Sequence, residues 1–267
     1  MTGAPTPAPE LSPWSEEMAD LDRALAALGD ADWRRVTRFK GWMVFDTVHH
    51  LTISDALAAA AAADPSGFRA RRSPPAAGAA PDGLGPEGPP DIPPQALLAR
   101  WRAGAQAFRR AFETVDPARR LPWYGPDMSV RAFLTARLME TWAHGQTIHD
   151  ALGLRRAPTD RLRPICELGV RTQGWSFRVR GLQPPAAQVA VALSAPSGAA
   201  WRWGPEAAQD RIAGPAEDFA LVVCQCRNIA DTQLSVTGPA ATAWMAIAQC
   251  FAGGAADPPA PGSRGPR

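Results

Sequence analysis

RAFLTARLMETWAHGQTIHDA, Arg131 to Ala151, decides how the chain is read. Its spacing predicts a helix in which Glu140 and His144, one turn apart, share a face with Phe133, Ala136, Ala143, Thr147 and Ala151. That stripe is otherwise small or apolar and should face a core. A carboxylate there must be paired, protonated or bound to a cation, because an isolated buried charge is very costly. The upstream stretch GWMVFDTVHHL, Gly41 to Leu51, offers a partner: His49 and His50 fall within a second helical pattern. The alternative for Glu140 and His144 is an ordinary i,i+4 pair on a partly exposed face.

Outward from these stretches, the pattern predicts helices over Trp14–Leu28, Met43–Ala63, Pro94–Val115 and Ser129–Leu152, the last capped by Ser129. Gly29, Asp64-Pro65, Asp116-Pro117 and Gly153 are the corresponding stops. Four amphipathic helices suggest a bundle, with ligand sites between facing helices. Residues 69–94 are dense in Pro, Gly and Ala and predict a mobile loop. After Pro158 the pattern changes to a helix over Thr159–Phe177, strands over Gln188–Ala195, Ala200–Trp203 and Gln233–Thr237, and helices over Asp218–Arg227 and Pro239–Phe251. The expected fold class is α+β, an N-terminal four-helix bundle with a smaller C-terminal α/β domain. The expected divisions are a disordered start (1–13), the bundle (14–157), a small α+β domain (158–251) and a disordered tail (252–267).

The 267 residues are 46% hydrophobic and carry a net charge of only +2, with Lys40 the sole lysine and no clustered basic face. Nucleic acid is therefore not an expected partner. No run approaches the roughly 20 apolar residues of a membrane span, and the N-terminal residues lack the pattern of a signal peptide. A soluble, cytoplasmic protein acting on a small molecule is expected. Cys166, Cys224, Cys226 and Cys250 form no Cys-x-x-Cys pair and read as reduced, mostly buried thiols.

Gly41, Trp42, Val44, Asp46, His50 and Leu51, followed downstream by Glu140 and His144, resemble the DinB-like superfamily. The closer similarity is to the branch containing mycothiol-dependent maleylpyruvate isomerase; LPWYGPDMS, TDRLRPICELGVRT and GPAEDFALVVCQCRNIADTQLSVTGP resemble uncharacterised members of it. The resemblance implies a bundle holding a divalent metal, usually zinc, through His50, Glu140 and His144. Here His50 is preferred to His49 for its place four residues after Asp46 and just before Leu51. Such bundles often pair, so a homodimer is a further expectation.

Three protein ligands leave at least one coordination position, the mark of a catalytic metal. Such a metal could activate a thiol or a water, or polarise a carbonyl. The resemblance favours a thiol, mycothiol or another small cellular one, acting in an isomerase or transferase. A non-catalytic binding protein and a metal-dependent hydrolase are the competing classes. Arg137 could hold a substrate carboxylate or pair with Glu140, the second being preferred, and the resemblance carries over Arg227 as a substrate-anion contact. Asp46 could brace a ligand histidine or merely begin its helix. His149 reads as a C-terminal helix cation or surface group. Of Trp123, Tyr124, Trp142, Trp175, Trp201 and Trp203, most should be core and one or two could line the site. Two features depart from the family pattern: the composition of 69–94, and the basic stretch VTRFK before Gly41.

Overall fold

The computed structural model describes residues 8–71, 91–123 and 127–265. It divides into two compact units, Met1–Leu152 and Gly153–Arg267, each mixing helix with sheet in different proportion.

The first unit contains α1 (Leu11–Ala26), α2 (Asp30–Trp33), α3 (Val44–Ala63), α4 (Pro65–Arg71), α5 (Pro94–Thr114) and α6 (Val130–Leu152). Before α6, strands β1 (Arg120–Leu121) and β2 (Met128–Ser129) pair antiparallel. Two carboxylates explain where α3 starts and where α4 takes over. Asp46 accepts the Met43 N–H at 2.9 Å and so caps α3. Asp64 ends α3 against Pro65 and accepts the Gly67 N–H at 2.8 Å, starting α4. Ser129 Oγ accepts the Ala132 N–H at 3.2 Å at the start of α6, which stops where Gly153 turns left-handed at φ 67°.

The four long helices close a ring: α1 packs on α5 and α6, and α3 packs on the same two. Aromatic rings fill it, Trp14 on Phe108 (centroids 4.1 Å apart), Phe108 on Phe112 (4.3 Å) and Phe112 on Phe133 (5.6 Å). Full burial of side chains this large is worth on the order of 2–3 kcal/mol each. Trp123 extends the row, 4.9 Å from Phe133.

The second unit holds α7 (Leu162–Arg171), α8 (Gln173–Arg178), β3 (Val189–Ser194), β4 (Ala200–Trp203), β5 (Asp210–Pro215), α9 (Ala216–Val223), β6 (Ser235–Thr237) and α10 (Pro239–Met245). The sheet order is β4-β3-β5-β6, with β3 and β5 parallel and both other pairings antiparallel. Gly169 lets α7 lie against α9, since a Cβ there would come within 2.9 Å of Val223. At Gly238, φ 89°, a Cβ would sit 2.5 Å from the Asp210 carboxylate, which caps α10 through the Ala240 and Ala241 N–H groups.

Several boundaries differ from expectation. Helix α1 begins at Leu11, inside the supposedly disordered start, because Ala8, Leu11 and Trp14 are all buried; residues 1–7 lie outside the described residues. Of the expected loop, 69–71 finish α4 and 72–90 lie outside the described residues. The helix expected over Thr159–Phe177 is interrupted at Thr172, whose hydroxyl donates back to the Leu168 carbonyl at 2.7 Å. Strand β5, DRIAGP, went unread because Gly214 and Pro215 end its alternation. The tail, expected to be disordered, is hydrogen-bonded to the rest of the second unit within 252–265. Donors of the second unit hold its carbonyls: Arg180 and Gln225 on Ala256, and Asn228 on Pro259 at 2.8 Å. Asp231 accepts the Gly262 N–H at 2.9 Å.

Candidate metal centre

The centre is assembled from two helices of the first unit. Helix α3 contributes His50; α6 contributes Glu140 and His144. His144 Nε2 lies 3.3 Å and His50 Nε2 3.9 Å from Glu140 Oε2, and one ligand atom from each residue lies within 4.8 Å of the others. The imidazole centroids are 4.7 Å apart. His49, the neighbour weighed against His50, is outside this group, and among the described residues its Nδ1 is buried without a hydrogen-bond partner.

The protonation states suit a cation. Partial burial pushes the Glu140 carboxyl up, but the adjoining imidazoles of His144 and His50 and the nearby Arg137 guanidinium outweigh it and hold the group well below its usual value. Burial pushes His144 down, more than its hydrogen bond to Glu140 raises it. An ionised carboxylate beside a neutral imidazole is the state a divalent metal requires. Two nitrogens and one oxygen also match zinc by donor type. By position and chemistry, the residues fit the group.

Behind the triad lies a second charged pair. Arg137, a turn before Glu140 on α6, does not pair with Glu140 as expected. Its Nε and Nη2 reach Asp55 Oδ1 on α3 at 3.2 and 2.9 Å, because Asp55 is wholly buried and needs a cation. Asp55 was missed in the sequence; the available signal was a single acid inside LTISDALAAAAAA. Asp46 is committed to capping α3, so its bonded oxygen braces no histidine. His149 Nδ1 lies 2.8 Å from the Gly145 carbonyl of its own helix.

Aromatics roof the site, though different ones from those singled out in the sequence. Trp42 stacks on His144 (6.2 Å, 11°) and leans on His50 at 5.3 Å, while Phe39 meets His144 edge-on at 5.1 Å. Trp123 and Trp142 are packed within the first unit. In the second, the Trp175 indole donates to the Phe251 carbonyl and Trp201 lies against Trp203. Tyr124 lies outside the described residues. Arg227, also in the second unit, donates from Nη1 to the Cys226 carbonyl at 2.7 Å. All four cysteines there are free and buried, with Cys224 and Cys250 sulfurs 3.6 Å apart.

Residues 14–149 match the family described as the mycothiol maleylpyruvate isomerase N-terminal domain. The chain belongs to this family. Two uncharacterized proteins from two strains of Mycobacterium tuberculosis are each 39% identical over 250 residues, covering 92% of this chain and 96% of theirs. Two crystal structures of mycothiol-dependent maleylpyruvate isomerase, one of a mutant, share the fold with TM-scores of 0.54 and 0.53. Each match covers 80% of this chain and 86% of that one, at 15% and 14% identity. Among the described residues no helix is long and apolar enough to cross a membrane.

Proposed function

We propose that this chain is a divalent-metal enzyme in which His50, Glu140 and His144 hold the cation and a small cellular thiol attacks an electrophilic small molecule. The observation that carries this reading is the meeting of three ligand atoms within 4.8 Å, drawn from two helices far apart in sequence. Family membership supports it, and the closed ring of α1, α3, α5 and α6 supports reading the first unit as a four-helix bundle of the kind that holds metals between facing helices.

A bound cation, zinc by donor chemistry, would supply the Lewis acidity that brings a thiol to its nucleophilic form near neutral pH. The chain's own residues do the rest. Burial favours the neutral form of His144, and its neighbours favour the charged form of Glu140. Phe39 and Trp42 shield the imidazoles from water, and the Arg137–Asp55 pair ties α3 to α6 one turn away. Arg227 is the proposed contact for a substrate anion, on the family resemblance.

Elemental analysis of the purified protein, followed by titration of the cobalt-substituted form with mycothiol or glutathione, tests this reading. One metal per chain and a thiol-induced change in the cobalt absorption bands are expected. Stoichiometric metal with no response to any thiol would leave a water-based hydrolase or a binding protein. Absence of metal would end the proposal.

A further inference from the structure

The hairpin above the triad holds its one lysine in a backbone conformation that lysine does not favour. Val36 bridges Met43, Thr37 N–H donates to the Trp42 carbonyl at 2.7 Å, and Trp42 N–H to the Phe39 carbonyl at 3.0 Å. The two residues at the tip, Lys40 (φ 51°) and Gly41 (φ 70°), are both left-handed. A two-residue turn of this kind selects Asn, Asp or Gly at its first central position. Among the described residues Gln225 is the only other non-glycine at positive φ. A strained residue beside a candidate site calls for a functional account.

That conformation sets the ammonium over two rings, 5.5 Å from the Phe39 centroid and 5.7 Å from that of Trp42. These are the rings that contact the site histidines. Lys40 is exposed, and among the described residues its ammonium meets only these rings. The cation thus stands one ring away from each imidazole, with its hydrogen-bonding capacity unspent. An ammonium so placed, on an aromatic face beside a metal centre, is suited to a carboxylate at the far end of a molecule docked there.

The geometry points to Lys40 as a specificity-determining residue that selects small molecules carrying a carboxylate remote from the metal-bound end. This inference rests on the metal-centre reading and adds to it a residue of the first unit that would contact the ligand's carboxylate.

The test uses the full chain loaded with cobalt, with binding of succinate and of butyrate measured by calorimetry. Wild type should bind succinate about three- to fivefold tighter than butyrate, the range of a partly exposed ion pair. Lys40→Met should abolish that preference with butyrate affinity unchanged, and Lys40→Arg should keep it. Lys40→Asn, better suited to the turn, should raise the melting temperature while losing the preference. Cobalt uptake with succinate binding absent, or independent of residue 40, overturns the inference and leaves the metal reading intact. Failure of the wild-type chain to take up cobalt overturns both.

Discussion

Two carboxylates stand close together where α3 faces α6, and their surroundings drive them in opposite directions. Glu140, with 29% of its side chain exposed, has an imidazole on either side and is held well below the usual carboxylate range despite burial. Asp55 is wholly buried; burial pushes it up, and Arg137 offsets this only in part. The geometry accounts for the difference. Both Arg137 donors reach one oxygen of Asp55, and the other oxygen is buried without a partner among the described residues, whereas Glu140 has imidazole neighbours on two helices. Glu140 is thus equipped to receive a cation and Asp55 to join helices.

The largest expected effect comes from separating the buried pair. Arg137→Met leaves Asp55 buried without its cation and should destabilise the protein by about 3–5 kcal/mol in urea unfolding. Adding Asp55→Leu should restore most of that loss, since replacing both partners removes the unpaired charge. A double variant as unstable as the single one would break the assignment of Asp55 as Arg137's partner.

Metal affinity, by contrast, should depend on the other carboxylate. Glu140→Gln and His50→Ala should each weaken zinc binding by more than ~100-fold, beyond what loss of a supporting contact brings, while His49→Ala should keep stoichiometric metal. Competition against a chromophoric chelator measures this. The reverse order of His49 and His50 would overturn the ligand set. Because its imidazole neighbours and Arg137 favour the charged form of Glu140, Glu140→Gln should also make the metal-free protein unfold more readily at neutral pH.

How far these roles could be read from sequence follows from the same contrast. That Glu140 and His144 share a face was legible because helix periodicity fixes it, and a polar pair on an apolar stripe demands a partner; the preference for His50 over His49 as that partner came from its place in the family motif. Asp55 and its pairing with Arg137 were not legible. Periodicity places a residue on a face of its own helix but says nothing of its level against the neighbouring helix, so Arg137 was assigned to the carboxylate nearest in sequence. Phe39 and Trp42 were missed as the roof for a related reason: their position depends on a turn whose tip carries lysine instead of the residues that announce such turns. Strand β5 escaped because its outer half is Gly-Pro, and the tail because its anchors are side-chain donors elsewhere in the second unit.

The smallest expected effect concerns His144, whose burial and neighbours lower its affinity for a proton from the ordinary value of 6.5. In metal-free protein the unfolded chain then takes up a proton in a range where the native state does not. Stability should be independent of this residue above pH 6.5 and should decline as pH falls from there through the lower native value. The slope cannot exceed one proton, about 1.4 kcal/mol per pH unit. Urea unfolding of wild type and His144→Gln between pH 7.5 and 5 isolates the contribution, with wild type losing stability relative to the variant as the solution becomes acid. A difference of the opposite sign would mean that Glu140 holds His144 protonated in the native state. The pair would then be an internal ion pair, no longer primed for a metal, and the contrast with Asp55 and Arg137 would vanish.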